Sequence, residues 1–75
     1  MLRCNKVNNF WYSEGKRYVV ADVITGDTPE SFPADGTDIE NLSENDILAM
    51  GTTIRVVQSA KVYMAKDDSG TFVEQ

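Results

Sequence analysis

The chain has no histidine and only one cysteine, Cys4, among its 75 residues. A zinc site built from cysteine and histidine is therefore excluded, as is a disulfide within the chain. Without an imidazole to act as base, neither Cys4 nor any serine or threonine has the usual activator of a nucleophile. No run approaches the roughly 20 apolar residues of a membrane-spanning helix, and no apolar stretch follows a charged start in the manner of a signal peptide. A phosphate-binding loop is missing too: no glycine cluster leads into a helix, and "AMGTT" has no lysine in the required place.

Bases are absent from the whole middle of the chain. Between Tyr18 and Ile54 lie Asp22, Asp27, Glu30, Asp35, Asp38, Glu40, Glu44 and Asp46, with no lysine or arginine among them. The formal net charge is −5. A middle of this sign repels phosphate backbones, so nucleic acid is not expected as a partner, and neither is a membrane. Acidic residues are numerous, but no spacing singles out a pair for general acid–base work. Asp35, Asp38 and Glu40, or Asp67 and Asp68, could offer hard oxygen ligands. Neither group reproduces a calcium loop, and turn chemistry and solubility explain them without a metal. The expectation is a protein with no catalytic residues, no metal and no cofactor.

What is present is a small chain rich in strand-forming patterns. At this length only about 60% of the unfolded chain's surface is buried on folding, so a lone core is marginal. With disulfides and zinc excluded, oligomerisation or docking onto a partner is the support left, the other reading being a domain that is marginal and monomeric. One domain spans 1–75. In 1–24, "VNNFWYSEGKRYVVADVI" reads as a hairpin: Val7 to Tyr12, a turn at "SEGK" with Gly15 free to take positive φ, then Arg17 to Ile24. The doublets Val19–Val20 and Val23–Ile24 put apolar groups on both faces, the mark of a central or doubly covered strand. Residues 25–42 form an acidic loop, broken by Pro29 and Pro33 and pinned by Phe32 and Ile39.

In 43–51, "NLSENDILAMG" predicts a short helix over 44–50. Ser43 stands at the cap, Asp46 three residues on, Leu42 and Ile47 at the staple positions, and Gly51 at the end. Residues 52–75 read as an antiparallel meander. Ile54 and Val56 share one face of the first strand. Val62 and Met64 lie opposite Lys61, Tyr63 and Ala65 in the second, and "DDSG" turns into "TFVE". The fold class expected is mainly β: a small antiparallel β-meander, sandwich- or barrel-like, with one short capped helix. Aromatics in a strand most often serve a core or an interface. Phe10, Trp11, Tyr12, Val20 and Tyr63 are thus the candidate interface residues, Trp11 foremost, and a homo-oligomer, dimer or trimer, is the expected state.

From Phe32 onward the chain carries a recognisable set of elements. These are Pro33, Asp35 and Gly36 in a loop; Gly51 and Thr52 opening a strand; Lys61, Val62, Tyr63 and Met64 as a strand; and Gly70 and Phe72 closing. This set resembles a family of very small proteins encoded among the capsid and head genes of tailed bacteriophages and prophages of Gram-positive bacteria. The closing aromatic is Phe72, where tryptophan is more typical. The resemblance covers a bit over half the chain and implies a virion-associated or head-accessory role, located in the virion or the host cytoplasm. Such a protein would act through contacts with capsid or other virion proteins rather than through chemistry. The alternative is a small acidic regulatory module, also phage-encoded, that binds a host protein.

Overall fold

The N-terminal hairpin is longer than its sequence pattern announces. β1 (Leu2–Ser13) and β2 (Lys16–Thr25) pair antiparallel throughout. In the computed structural model, which describes Met1–Gln75, Glu14 and Gly15 take φ of 53° and 78°. Two successive left-handed residues make the tight turn whose twist matches that of the flanking strands, and glycine supplies the second at no steric cost. The chain continues through β3 (Ile39–Glu40), β4 (Asp46–Leu48), β5 (Thr53–Val56), β6 (Lys61–Ala65) and β7 (Phe72–Glu74).

Two bulges shape β1. Register shifts between Cys4 and Lys6 and between Val7 and Asn9 leave Asn5 and Asn8 without direct partners on β2. Each bulge adds one residue, so the inward positions run Leu2, Cys4, Val7, Phe10 and Tyr12 instead of every second residue. On β2 the alternation is regular. Val19, Ala21, Val23 and Thr25 are buried, while Tyr18, Val20, Asp22 and Ile24 are half-buried on the other face.

β2 is the centre of a mixed sheet ordered β3-β1-β2-β5-β6-β7. Its free edge is shared by two parallel partners in series: β4 against Arg17–Val19 and β5 against Asp22–Thr25. β6 and β7 then add antiparallel, and β3 pairs parallel with Leu2 and Arg3 at the opposite margin. Two of the fold expectations are therefore corrected. The sheet is mixed rather than an antiparallel meander. It is also one open sheet with distinct margins, neither a sandwich nor a barrel.

The expected helix over 44–50 does not form; the chain has no helix. The hydrogen bonds of a helix cap are nonetheless present. Asp46 Oδ2 accepts Ser43 N–H at 3.0 Å, Ser43 Oγ accepts Asn45 N–H at 3.1 Å, and Ser43 O accepts Asp46 N–H at 3.0 Å. They close a single turn, after which the chain extends. Leu48 enters the core completely, and Ala34 O and Val19 O accept the N–H groups of Leu48 and Ala49. A helix of two turns has little stability of its own, so pairing on both edges wins.

Between β4 and β5 the chain has two residues more than β2 opposite it, since Val19 pairs with Leu48 and Asp22 with Thr53. The excess is taken up at Ala49–Thr52, where Gly51 adopts φ 96°. The ladder would be broken here, but the Thr52 side chain mends it. Its buried Oγ1 accepts Ala21 N–H at 3.2 Å and donates to Val19 O at 3.0 Å.

The core lies on one face only. Cys4, Val19, Ala21, Val23, Ile39, Leu48, Ile54 and Val56 are its buried residues, with Phe32, Leu42, Tyr63 and Phe72 packed against them. The acidic segment 26–45 is the covering layer, and it doubles as the crossover that makes β4 and β5 parallel to β2. Close backbone approaches hold it in place. A Cβ on Gly36 would collide with Ser43 O, and one on Gly70 would lie 2.7 Å from Ala34 Cβ.

Candidate functional site

The second face of the sheet has no layer over it. Register assigns its residues row by row. At the hairpin end Trp11, Tyr18 and Ile47 stand side by side, and Asn9 and Val20 follow. The next row is Lys6, Asp22, Thr53, Met64 and Val73, and the last is Arg3, Ile24, Arg55 and Val62. Trp11 stacks on Tyr18 with centroids 5.8 Å apart and planes 4° from parallel. Trp11, Met64 and Val73 are 40%, 37% and 47% exposed, and Val20, Ile24 and Val62 are half-buried.

The polar centre of this face is internally satisfied. Asp22 Oδ2 accepts Arg55 Nη2 at 3.2 Å, and Asp22 Oδ1 accepts Thr53 Oγ1 at 3.2 Å. Charge is also segregated. The strand residues facing this way include the bases Arg3, Lys6, Lys16 and Arg55 against the acids Asp22 and Glu40. The covering segment on the other side carries Asp27, Glu30, Asp35, Asp38 and Glu44 with no base. A chain with formal charge −5 thus presents one mildly basic, apolar face.

The candidate interface residues divide between the two sides. Trp11 and Val20 lie on the open face. Phe10 and Tyr12, 52% and 72% exposed, continue the core side beyond the covering segment, their rings edge to face at 6.1 Å. Tyr63 points inward, with Phe32 4.6 Å away, and Phe32 in turn lies 5.4 Å from Phe72. Ile24, Val62, Met64 and Val73 also stand on the open face, and the alternation of Met64 with Tyr63 along β6 is the signal that separates the two.

Arg17, beneath the Phe10 ring at 5.5 Å, is held by Asp46 in a two-pronged ion pair with both contacts at 2.9 Å. The guanidinium holds the Asp46 carboxyl below its ordinary range, with Ser43 N–H adding to the effect, and Asp46 in turn raises Arg17. This pair ties β4 to β2 and is structural. Cys4 is buried, and burial pushes its thiol upward, the reverse of what a nucleophile needs.

Three of the carboxylates considered for metal, Asp35, Asp67 and Asp68, are occupied by hydrogen bonds in and between turns. Asp35 accepts Thr37 N–H at 3.0 Å, and Asp67 accepts both Ser69 N–H and Ser69 Oγ, which lowers its pKa. No three histidine, cysteine or acidic residues gather as a ligand set. Of the motif residues, Lys61, Val62, Tyr63 and Met64 form β6, and several of the others sit at joints of the fold. Gly36 and Gly70 admit the covering segment, Gly51 and Thr52 form the bulge, and Phe72 packs on Phe32.

No family model matches the chain, and no curated protein or solved structure matches it either, so the phage resemblance has no support from a relative. What the geometry offers is the uncovered face of a mixed sheet, carrying apolar side chains where a solvated face would carry polar ones.

Proposed function

We propose that the protein is a non-catalytic module that works by protein–protein contact through the open face of its sheet. The observation that carries this reading is the row-on-row apolar surface of Trp11, Val20, Ile24, Val62, Met64 and Val73, set around a polar cluster that needs no further partner. Contiguous apolar surface of this kind usually marks an interaction site. The motif resemblance supplies the setting: an accessory protein of a bacteriophage or prophage head, docked on capsid or another virion protein. That part rests on the motif residues alone.

The alternative, an acidic regulatory module for a host protein, draws on the carboxylates of the covering segment. Asp22 and Asp46 do not join that layer, since each is ion-paired elsewhere. The acidic surface is smaller than the sequence run implies, which favours the first reading. Co-purification with intact particles tests it. Wild-type protein should travel with particles, and the Met64→Glu variant should not. Equal association of both would remove the open face from the proposal.

A further inference from the structure

We propose that the open face of the sheet receives an acidic amphipathic helix of another protein, its apolar stripe against Val20, Ile24 and Met64 and its carboxylates on Arg3 and Lys6. The inference rests on the reading of that face as a contact surface and adds the chemistry of what it contacts. Unmatched charge is the first argument. The ion pairs of the chain join Arg17 to Asp46, Arg55 to Asp22 and Lys61 to Glu74, and none of them uses Arg3, Lys6 or Lys16. These three bases are all exposed. Glu40 stands beside Arg3 in register, yet Arg3 Nε donates instead to Asn5 Oδ1 at 3.2 Å. Asp22, opposite Lys6, is already bonded to Arg55 and Thr53.

Placement is the second argument. Three residues apart in a regular strand, Arg3 and Lys6 would point to opposite faces. The bulge at Asn5 sets them against Ile24 and Asp22, so both bases stand on the open face, about 6.6 Å from one another. Side chains one turn apart on a helix are separated by nearly the same distance, about 5–6 Å. Lys16 lies about 26 Å from Ile24 along β2, a length that a helix of about 18 residues spans. A helix laid along β2 thus meets bases toward both ends and apolar side chains between them. A strand is a poorer fit, because strands add at sheet edges. The bulges at Asn5 and Asn8 break the β1 margin, and Asn9 Oδ1 already takes the Phe10 N–H at 2.9 Å.

Other occupants match this surface less well. Two copies of the face would set like charges together, so the homo-oligomer expected from the sequence has no basis in it. A nucleic acid or an anionic membrane would also meet the bases, but a net charge of −5 opposes both over any extended contact. The Trp11 ring is already stacked on Tyr18 and offers no open platform for bases. A helix needs only local complementarity. It passes over Asp22 without orphaning a charge, because Arg55 and Thr53 hold that carboxylate.

A display library of amphipathic helices of about 18 residues, with the apolar stripe fixed and the flanking positions randomised, tests this at about 0.05 M salt. The wild type should select aspartate and glutamate beside the stripe, one turn apart. Arg3→Glu combined with Lys6→Glu, both at exposed sites, should leave circular dichroism unchanged and select lysine and arginine instead. The best acidic peptide, made synthetically, should shift the backbone amides of β2 and β6. It should bind the double variant about 10-fold more weakly, and the wild type more weakly at about 0.5 M salt. No selection, a selection blind to charge, or one that the double variant does not reverse would overturn the proposal. Equal or tighter binding of phosphatidylserine vesicles or of an oligothymidylate would overturn it too. Particle association keeps the two readings apart. Lost in Met64→Glu but unchanged in the double variant, it keeps the open face as a contact surface and removes the acidic helix; unchanged in both, it removes both.

Discussion

Thr52 offers the sharpest test of how the sheet is held together, because one hydroxyl spans the gap left by two surplus residues. Its Oγ1 is wholly buried, accepts Ala21 N–H at 3.2 Å and donates to Val19 O at 3.0 Å. Thr52→Val keeps the shape and removes both bonds. Val19 O still accepts Ala49 N–H at 2.8 Å, so the acceptor remains satisfied. Ala21 N–H does not: it lies in the central strand, and Thr52 Oγ1 is its acceptor. Orphaning one buried donor costs about 1–3 kcal/mol, and the valine recovers little of it. In a domain of this size each kcal/mol moves the melting midpoint by about 4–8 °C, so a fall of roughly 5–20 °C is expected. Thr52→Ser, which keeps the hydroxyl and loses a methyl, should cost less than the valine despite being the smaller side chain. Urea unfolding of the three proteins, with amide exchange followed at Ala21, is the measurement. A valine variant as stable as the wild type, or more stable than the serine variant, would refute the bridging role.

The Arg17–Asp46 pair makes stability depend on acid. Asp46 has a lowered pKa in the fold, so its contribution is complete above the unfolded value near 3.8 and is lost as pH falls through the folded one. Asp46→Asn should cost about 1.5–3 kcal/mol at neutral pH and flatten the acid limb of the urea stability profile; an unchanged limb would mean another carboxylate governs it. Gly36→Ala should destabilise by about 1–3 kcal/mol, because the obstructing atom is the backbone Ser43 O rather than a mobile side chain. Gly15→Ala meets no neighbour and should lose only the roughly 1 kcal/mol of its left-handed φ, so thermal melts should rank the two variants clearly. Ser43→Ala should cost about 0.5–1 kcal/mol by chemical denaturation, since the hydroxyl still accepts Asn45 N–H although no helix follows; no loss would mean the turn holds without it.

Where a side chain's role is decided by its near neighbours, the sequence was legible. Gly15 marked the hairpin turn, the doublets of β2 marked a central strand, and alternation within each strand grouped Ile54 with Val56 and Val62 with Met64. The start of β1 was hidden by its bulges, because an inward spacing of two, three, three and two residues from Leu2 to Tyr12 has no strand period. The helix over 44–50 failed for a different reason. Ser43 and Asp46 do make cap-like bonds, but those bonds stabilise a turn whatever follows it, and only contacts far along the chain decide that β4 follows. Parallel pairing was hidden for the same reason: the crossover from β2 to β5 contains no helix to announce it.

That crossover also explains why the candidate site exists. Helical crossovers usually place covering layers on both faces of a parallel sheet. Here one irregular segment covers one face, and its polar exterior uses five of the chain's acids. The apolar residues that chain order assigns to the other face, Val20, Ile24, Met64 and Val73 among them, have nothing left in these 75 residues to bury them. Aromatic character draws attention to Tyr63 ahead of Met64, yet the two lie on opposite faces of β6. Phe32 takes Tyr63 inward, and the alternation of β6 then turns Met64 outward. Which face stays open is thus set by the side that the acidic segment closes over, and only afterwards by which residues are most apolar.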